Sequence, residues 1–137
     1  MRFSFSSAWL FLAAACAEPA AFPVPEGPPR QVTLDVRLPV YVLGTWTVDE
    51  FSEALRQELA KYKVEVVAAG SKPELVARVD MGRWTYREWQ EIDTALVRDK
   101  EVMPLGKIRL SDLSMTTLDV AAESVAVLVA RGVWKVP

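Results

Sequence analysis

Carboxylates are the main side chains in this sequence that are able to do acid–base chemistry. The chain has 18 aspartates and glutamates, no histidine and one cysteine, so the commonest general base and metal ligand is missing. Asp80 beside Arg78, or Glu91 with Asp93, has the residue types of an acid–base pair, but solvent-facing strand positions are the simpler interpretation. The six glycines occur singly, which does not match a glycine-rich phosphate loop. We therefore expect no enzymatic activity, no cofactor and no metal site.

A cluster of aromatic and arginine residues is the best candidate for an interaction surface; it comprises Arg83, Trp84, Tyr86, Arg87 and Trp89. Amphipathic aromatic side chains next to arginines are typical of interface anchors and of sugar-stacking platforms. In a continuous strand, Trp84 and Tyr86 would share one face, with Arg87 and Trp89 on the other. The alternative is that one face caps the core while the arginines are solvated. As a contact surface, the cluster favours a protein partner, then a glycan or a lipid.

The only cysteine, Cys16, follows a short apolar stretch that begins after Met1-Arg2 and ends in Ala13-Ala14-Ala15. This is the shape of a secretory signal and is too short to span a membrane. It resembles the bacterial lipoprotein signal, in which small residues lead to a cysteine that is acylated and becomes the new N-terminus. Ala13 stands where that signal prefers leucine. The resemblance implies a lipid anchor, and Ala17 implies the outer membrane, with the periplasmic or surface face left open. Ordinary signal cleavage and an unprocessed chain are the alternatives.

Residues 17–30 contain five of the nine prolines, which predicts an extended, irregular tether without packing of its own. At ~3.1 Å per residue it would hold a domain up to roughly 40 Å from the anchor. A proline-rich docking ligand is the alternative. The predicted organisation is a signal peptide (1–15), the lipidated cysteine with its tether (16–30) and one domain (31–137).

A helix from about 48 to 61 is the most clearly marked element of that domain. Thr47 and Glu50 have the spacing of a capping box, and Trp46 and Phe51 that of a hydrophobic staple. The remaining apolar positions recur at intervals of three and four on one face. A second helix is predicted over 117–131, with Thr116 or Thr117 as its cap and Gly132 as its stop.

Alternating apolar residues predict the strands. The first spans 31–42, and Pro39 places it at a sheet edge or gives it a bulge. Two more, at 63–69 and from 75 to about 84, are joined by Gly70-Ser71-Lys72-Pro73 and are expected to form an antiparallel pair. A further strand at 90–98 ends in an exposed turn at 98–101, residues 103–106 interrupt the chain, and 107–110 form a short strand. Residues 133–137 add an edge strand or pack Trp134 on the sheet.

This order of elements predicts an α+β fold: a two-layer sandwich with a mostly antiparallel sheet of three to five strands and two helices, about 48–61 and 117–131, on one face. The formal net charge is −2, and no basic face is evident in the sequence, which argues against nucleic acid as the partner. The stretches 62–67 and 72–79 resemble the α/β domains of the lipopolysaccharide-assembly lipoprotein, the penicillin-binding-protein activator lipoproteins and the amino-terminal domain of TolB.

The sequence therefore favours a lipid-anchored, non-catalytic module that binds or helps to assemble another envelope component. The alternative is a binder of peptidoglycan, another glycan or a lipid, which a closed apolar pocket between the last helix and the sheet would favour. A hydrolase would require carboxylates that converge in a cleft. The residues do not indicate the oligomeric state.

Overall fold

The computed structural model describes residues 22–37, 47–68, 70, 75–80, 84–85, 89–110 and 118–137. Within these ranges six strands and two helices follow one another along the chain: β1 (Arg30–Arg37), α1 (Val48–Ala60), β2 (Val64–Val66), β3 (Val76–Asp80), β4 (Trp84–Thr85), β5 (Trp89–Arg98), β6 (Glu101–Leu110) and α2 (Leu118–Lys135). The fold is α+β, as the sequence predicts.

The strands form one sheet in which β1 lies between β2 and β3, and β5 lies between β3 and β6. β1 pairs in parallel with β2 and with β3, whereas the pairings of β5 with β3, β4 and β6 are antiparallel. Because β6 occupies one edge of β5 from Gln90 to Arg98, β3 and β4 share the other edge. β4 thus continues the line of β3, with the pairing offset by one residue between Asp80 and Trp84.

The predicted antiparallel pair of strands around Gly70 is wrong. β2 and β3 both run parallel to β1 and lie on opposite sides of it: Val67 N donates to Val32 O at 2.9 Å, and Thr33 N donates to Leu75 O at 3.0 Å. β1 pairs with β2 over its first three residues, Arg30–Val32, and with β3 over the next five, Thr33–Arg37. The placement of β1 inside the sheet also contradicts the predicted edge position. Pro39, which motivated that prediction, lies outside the described residues.

Helix α1 begins as predicted. The Glu50 amide donates to Thr47 Oγ1 at 3.0 Å, and the Thr47 amide donates to Glu50 Oε1 at 2.9 Å, which completes the capping box. Phe51, Leu55 and Leu59 are fully buried. Trp46, the other half of the predicted staple, lies outside the described residues.

The β5–β6 hairpin is longer than predicted. β5 and the exposed turn at Asp99 and Lys100 match the prediction, but β6 runs without a break from Glu101 to Leu110. Thr94 pairs with Gly106 and Ala95 with Pro104, so Leu105 is an extra residue that forms a β-bulge. A bulge on a strand that pairs on one side only accommodates a proline, which is why Pro104 does not end the strand.

Helix α2 continues through Gly132 to Lys135, so the predicted stop at Gly132 and the predicted edge strand after it are both wrong. The alternative for Trp134 holds, because its half-buried ring packs against the core. Its indole Nε1 donates to the Tyr62 carbonyl at 2.8 Å.

Both helices pack on one face of the sheet. α1 contacts β1 and β2, α2 contacts β5 and β6, and the helices contact each other. The core between the layers unites fully buried residues of both, among them Val32, Val79, Ile92, Val125 and Val129. Among the described helices, neither has the length and apolar character needed to cross a membrane.

Candidate functional site

The predicted aromatic cluster falls on the β4–β5 connection. Trp84 pairs with Gln90 and Thr85 with Trp89, so the chain reverses direction between them. The two tryptophans therefore lie on neighbouring strands and not along one continuous strand. Arg83, Tyr86 and Arg87 lie outside the described residues, as does Cys16.

The sheet face opposite the helices carries a charged row in register across four strands. The row consists of Arg37, Asp80, Asp93 and Lys107, each directly opposite the next. The hydrogen bond from Arg37 to Asp35, with Nη2 at 3.0 Å from Oδ2, is the main cause that raises the pKa of Arg37. This end of the open face thus presents both signs of charge to solvent, and Asp80 and Asp93 are components of the row rather than an isolated acid pair.

The other end of the open face is apolar. Thr33, Val76, Val97 and Val102 form a second row in register across the same four strands. The side chains of Val76 and Val97 are half-buried, and Val102 is 47% exposed. No helix of the described part of the chain packs on this row. A surface that combines apolar and charged rows has the make-up of a protein-binding face.

The end of the proline-rich segment contacts the domain. The Phe22 and Tyr62 rings stack with their centroids 4.9 Å apart and their planes within 5°. Arg131 of α2 lies over the same ring, with its Cζ 5.9 Å from the Phe22 centroid. Lys63 Nζ donates to the Gly27 carbonyl at 3.3 Å. Burial is the main cause that raises the pKa of the Tyr62 hydroxyl. The described part of the predicted tether, residues 22–30, therefore packs on the domain instead of standing free of it, and residues 17–21 lie outside the described residues.

A pocket of about 380 Å³ lies between the β5–β6 hairpin and the C-terminal half of α2. Its apolar lining includes Leu96, Met103, Leu105 and Leu128, and three cationic side chains, Arg98, Arg131 and Lys135, complete it. Within the part of the chain that the structure describes, no carboxylate side chain lines the pocket. This pocket is open to solvent, whereas the pocket predicted for a ligand binder is closed.

The residues that line this pocket are not marked as a group in the sequence. Its cations are spread over 38 residues and come together only because α2 runs past Gly132. The one available signal was the combination of Arg131 and Lys135, spaced four residues apart at the end of an apolar helix.

The C-terminal end of α2 is held by Arg30, the first residue of β1. Arg30 Nη1 donates to the Val133 carbonyl at 3.0 Å and to the Val136 carbonyl, and Arg30 Cζ lies 4.9 Å from the centroid of the Trp134 ring. These bonds give the carbonyls at the helix end a charged donor, in addition to the Val136 amide that bonds Val133 O at 3.3 Å, and they place a positive charge at the negative end of the helix dipole. The wall of the pocket that α2 provides is therefore fixed to the sheet.

Metal-binding groups do not converge in the described part of the chain: no three Asp, Glu or Cys side chains there are arranged to hold an ion. The acidic pairs considered in the sequence, Asp80 with Arg78 and Glu91 with Asp93, lie on the open sheet face. Arg78 Nε is buried, lies 3.9 Å from Asp35 Oδ2 and makes no hydrogen bond within the described structure.

Comparison with known proteins identifies the fold. No protein-family model matches the sequence, and neither does any curated protein. Among solved structures, the PelC dodecamer from Paraburkholderia phytofirmans is similar with a TM-score of 0.51 and 13% identity, over 80% of this chain and 92% of that one. TolB from Acinetobacter baumannii is similar with a TM-score of 0.50 and 8% identity, over 83% of this chain and 30% of TolB.

The TM-scores show a common fold, and at identities of 13% and 8% the likeness extends to the fold alone. The resemblance to TolB that the sequence suggests is supported at this level. The chain spans less than a third of the length of TolB, so it corresponds to one part of that protein.

Proposed function

We propose that this chain is a lipid-anchored, non-catalytic accessory module of the bacterial cell envelope that binds another envelope protein. The observation that carries the proposal is the run Ala13-Ala14-Ala15-Cys16, six residues ahead of Phe22, whose ring stacks on the domain. An acylated Cys16 would anchor the chain stably, because two or more acyl chains suffice for lasting membrane attachment.

The docked Phe22 defines how the domain would sit on the membrane. Six residues span at most about 20 Å when fully extended. With Cys16 in the lipid surface, the Phe22–Tyr62 contact and the adjoining part of α2 would therefore lie close to the headgroups.

The open face of the sheet is the surface we assign to the partner. It extends over β1, β3, β5 and β6, with a charged row at one end and an apolar row at the other. A protein partner matches this mixture, since interfaces combine an apolar centre with a charged rim. The β4–β5 connection lies beyond the charged row, and Trp89 has the same alternation along β5 as Asp93, so Trp89 would extend the same surface. Trp84 is directly opposite Gln90 and so belongs to the other alternation.

The fold comparison adds one consideration. The similar structure of PelC is that of a dodecamer, so this fold occurs in an assembly of several chains. A fold does not determine a function, and the envelope assignment is supported by the lipoprotein-like signal at Cys16.

The anchor is tested by the intact mass of the protein from the membrane fraction of a bacterial host. The expected mass is that of a chain cleaved before Cys16 and carrying acyl chains, and the Cys16→Ser variant should lose both the acyl mass and the membrane association. A mass for the whole precursor, or for cleavage at another position, would contradict the proposal.

The binding face is tested by site-specific photo-crosslinking in cells. A crosslinker at Asp93 or Val97, on the open face, should give a discrete protein adduct, and one at Glu53, on the outer side of α1, should not. The Trp89→Ala variant should reduce that adduct while the circular dichroism spectrum stays unchanged. Equal adducts from both faces, or none from the open face, would refute this surface.

A further inference from the structure

The pocket between the β5–β6 hairpin and α2 points to a ligand of definite chemistry. We propose that it binds one anionic phospholipid of the membrane, with the phosphate at the cationic side chains and part of an acyl chain on the apolar lining. This inference rests on the proposed function only for the source of the lipid, which is the membrane to which Cys16 would attach the chain.

The lining matches both parts of such a ligand. Its volume of about 380 Å³ falls within the ~300–1,000 Å³ of small-molecule sites. Leu96, Met103 and Leu128 provide apolar surface. Arg98 and Arg131 present planar guanidinium groups, which bind phosphate oxygens in pairs, and Lys135 adds a point charge.

The charge in the pocket favours an anion over a neutral lipid. Three cationic side chains line it, and among the described residues no acidic side chain does. The carbonyls at the end of α2 would disfavour an anion, but Arg30 takes up those of Val133 and Val136.

The position of the pocket relative to the anchor supports a lipid. Arg131 lines the pocket and also lies over the Phe22 ring, 5.9 Å from its centroid. Phe22 is six residues from Cys16, a distance of at most about 20 Å along the chain. One residue thus links the docked end of the spacer to the pocket, so an anchored domain would hold this pocket near the headgroups.

The experiment measures binding of short-chain lipids to the full chain carrying Cys16→Ser, which has no acyl chain of its own. Dihexanoyl-phosphatidylglycerol and dihexanoyl-phosphatidylcholine are titrated by calorimetry below their micelle-forming concentrations. We expect one site, with phosphatidylglycerol bound at least tenfold more tightly than phosphatidylcholine. The Arg98→Gln/Lys135→Gln variant should weaken phosphatidylglycerol binding at least tenfold.

The matched control is Arg37→Gln/Lys107→Gln, which also removes one arginine and one lysine charge, but from exposed side chains of the open face. It should change the affinity less than twofold. All variants retain residues 1–15, so lipid binding by that apolar stretch is common to them. Equal affinity for the two lipids, or equal weakening in both double variants, would overturn the proposal. Inorganic phosphate that competes at the same concentration as phosphatidylglycerol would also overturn it, by showing a phosphate site only.

The two proposals fail separately. Lipid binding in solution does not depend on acylation, whereas the intact mass of the wild-type protein does. An acylated protein that does not distinguish the two lipids would remove the pocket assignment alone. A protein that binds phosphatidylglycerol in the pocket but is not acylated at Cys16 would remove the anchor and leave a lipid site in the domain.

Discussion

Gly132 of α2 faces Leu105 of β6 at a distance that leaves no room for a side chain. A Cβ atom added to Gly132 would overlap Leu105 Cδ2 and lie 3.2 Å from Leu96 Cδ1. Leu105 is the extra residue of the β6 bulge, so the bulge and the glycine meet at one point of the interface. Because Gly132 has no side chain, the helix can approach the sheet closely at this point. The glycine lowers the stability of the helix by about 1 kcal/mol relative to alanine.

We expect Gly132→Ala to destabilise the domain by up to about 2 kcal/mol. Overpacking against Leu105 costs roughly 1–3 kcal/mol, and the gain in helix propensity offsets about 1 kcal/mol of it. Urea unfolding of Gly132→Ala, Leu105→Ala and the double variant measures the coupling. The double variant should be less destabilised than the sum of the single ones. Strict additivity would show that the methyl group and Leu105 do not meet.

This contact also explains which helix could be predicted from the sequence. The beginning of α1 is encoded by its own residues, Thr47 and Glu50, so the capping box was predictable. The end of α2 is decided by packing: Gly132 has the sequence signature of a stop but serves close approach to Leu105. Likewise, the turn residues after Gly70 indicate a change of direction but not that β1 lies between β2 and β3. Local signals fix local geometry, whereas strand order depends on contacts distant in sequence.

Arg30 should contribute to stability through the end of α2. In Arg30→Gln the carbonyls of Val133 and Val136 lose a charged donor and the Trp134 ring loses its cation, so we expect a loss of about 1–3 kcal/mol in urea unfolding. Arg37→Gln is the matched control; its pair with Asp35 is solvent-exposed, so its loss should lower the stability much less. An equal effect of both variants would contradict the capping role.

The candidate sites differ in how far the sequence could reveal them. The aromatic cluster was evident because its members are adjacent along the chain, but its reversal between Thr85 and Trp89 depends on pairing with β5. The pocket was not evident, since Arg98 and Arg131 are far apart in sequence and meet only across the α2–sheet interface. Charge and aromatic content can be read directly from a sequence, whereas a concave surface is produced by tertiary packing.

The docking of Phe22 predicts that residues 22–29 are held on the domain in solution. In Phe22→Ala the stack with Tyr62 is lost, which we expect to cost about 1 kcal/mol for the aromatic pair. Hydrogen exchange over 22–29 should become faster, while exchange in α1 stays unchanged. Val24→Ala is the control, because Val24 is 41% exposed. If 22–29 exchange equally fast in the wild-type protein and in Phe22→Ala, the segment is not docked.

The stability of α1 should fall at acid pH through Glu53. A hydrogen bond from Arg56, with Nε at 3.0 Å from Oε1, and a second one from Gln57 lower the pKa of Glu53 from 4.5 to about 2. Because the folded state holds the carboxylate charged, this contribution is complete above the unfolded pKa and is lost as the pH falls through about 2.

The measurement is the urea midpoint of wild type and Glu53→Gln between pH 7 and pH 2. The wild type should have the higher midpoint from pH 7 to about pH 5, and the difference should shrink progressively toward pH 2. Arg56→Gln should show the same pH dependence, because it removes the main partner. A difference that stays constant down to pH 2 would mean that the substitution acts through something other than the charge.

Two threonines in the sheet give opposite predictions for the same substitution. Thr33 Oγ1 is buried on the open-face side of β1 and makes no hydrogen bond in the described structure. Thr94 Oγ1 donates to the Gly106 carbonyl at 3.0 Å, beside the bulge. An unpaired buried hydroxyl is costly, whereas a paired one contributes about 1 kcal/mol and its loss leaves the carbonyl without that donor. Thr33→Val should therefore raise the free energy of unfolding by about 0.5–1 kcal/mol, and Thr94→Val should lower it by about 1–2 kcal/mol. Both variants replace a hydroxyl by a methyl group, so each serves as the control for the other. A loss of stability in Thr33→Val would show that the Thr33 hydroxyl has a partner, such as a bound water.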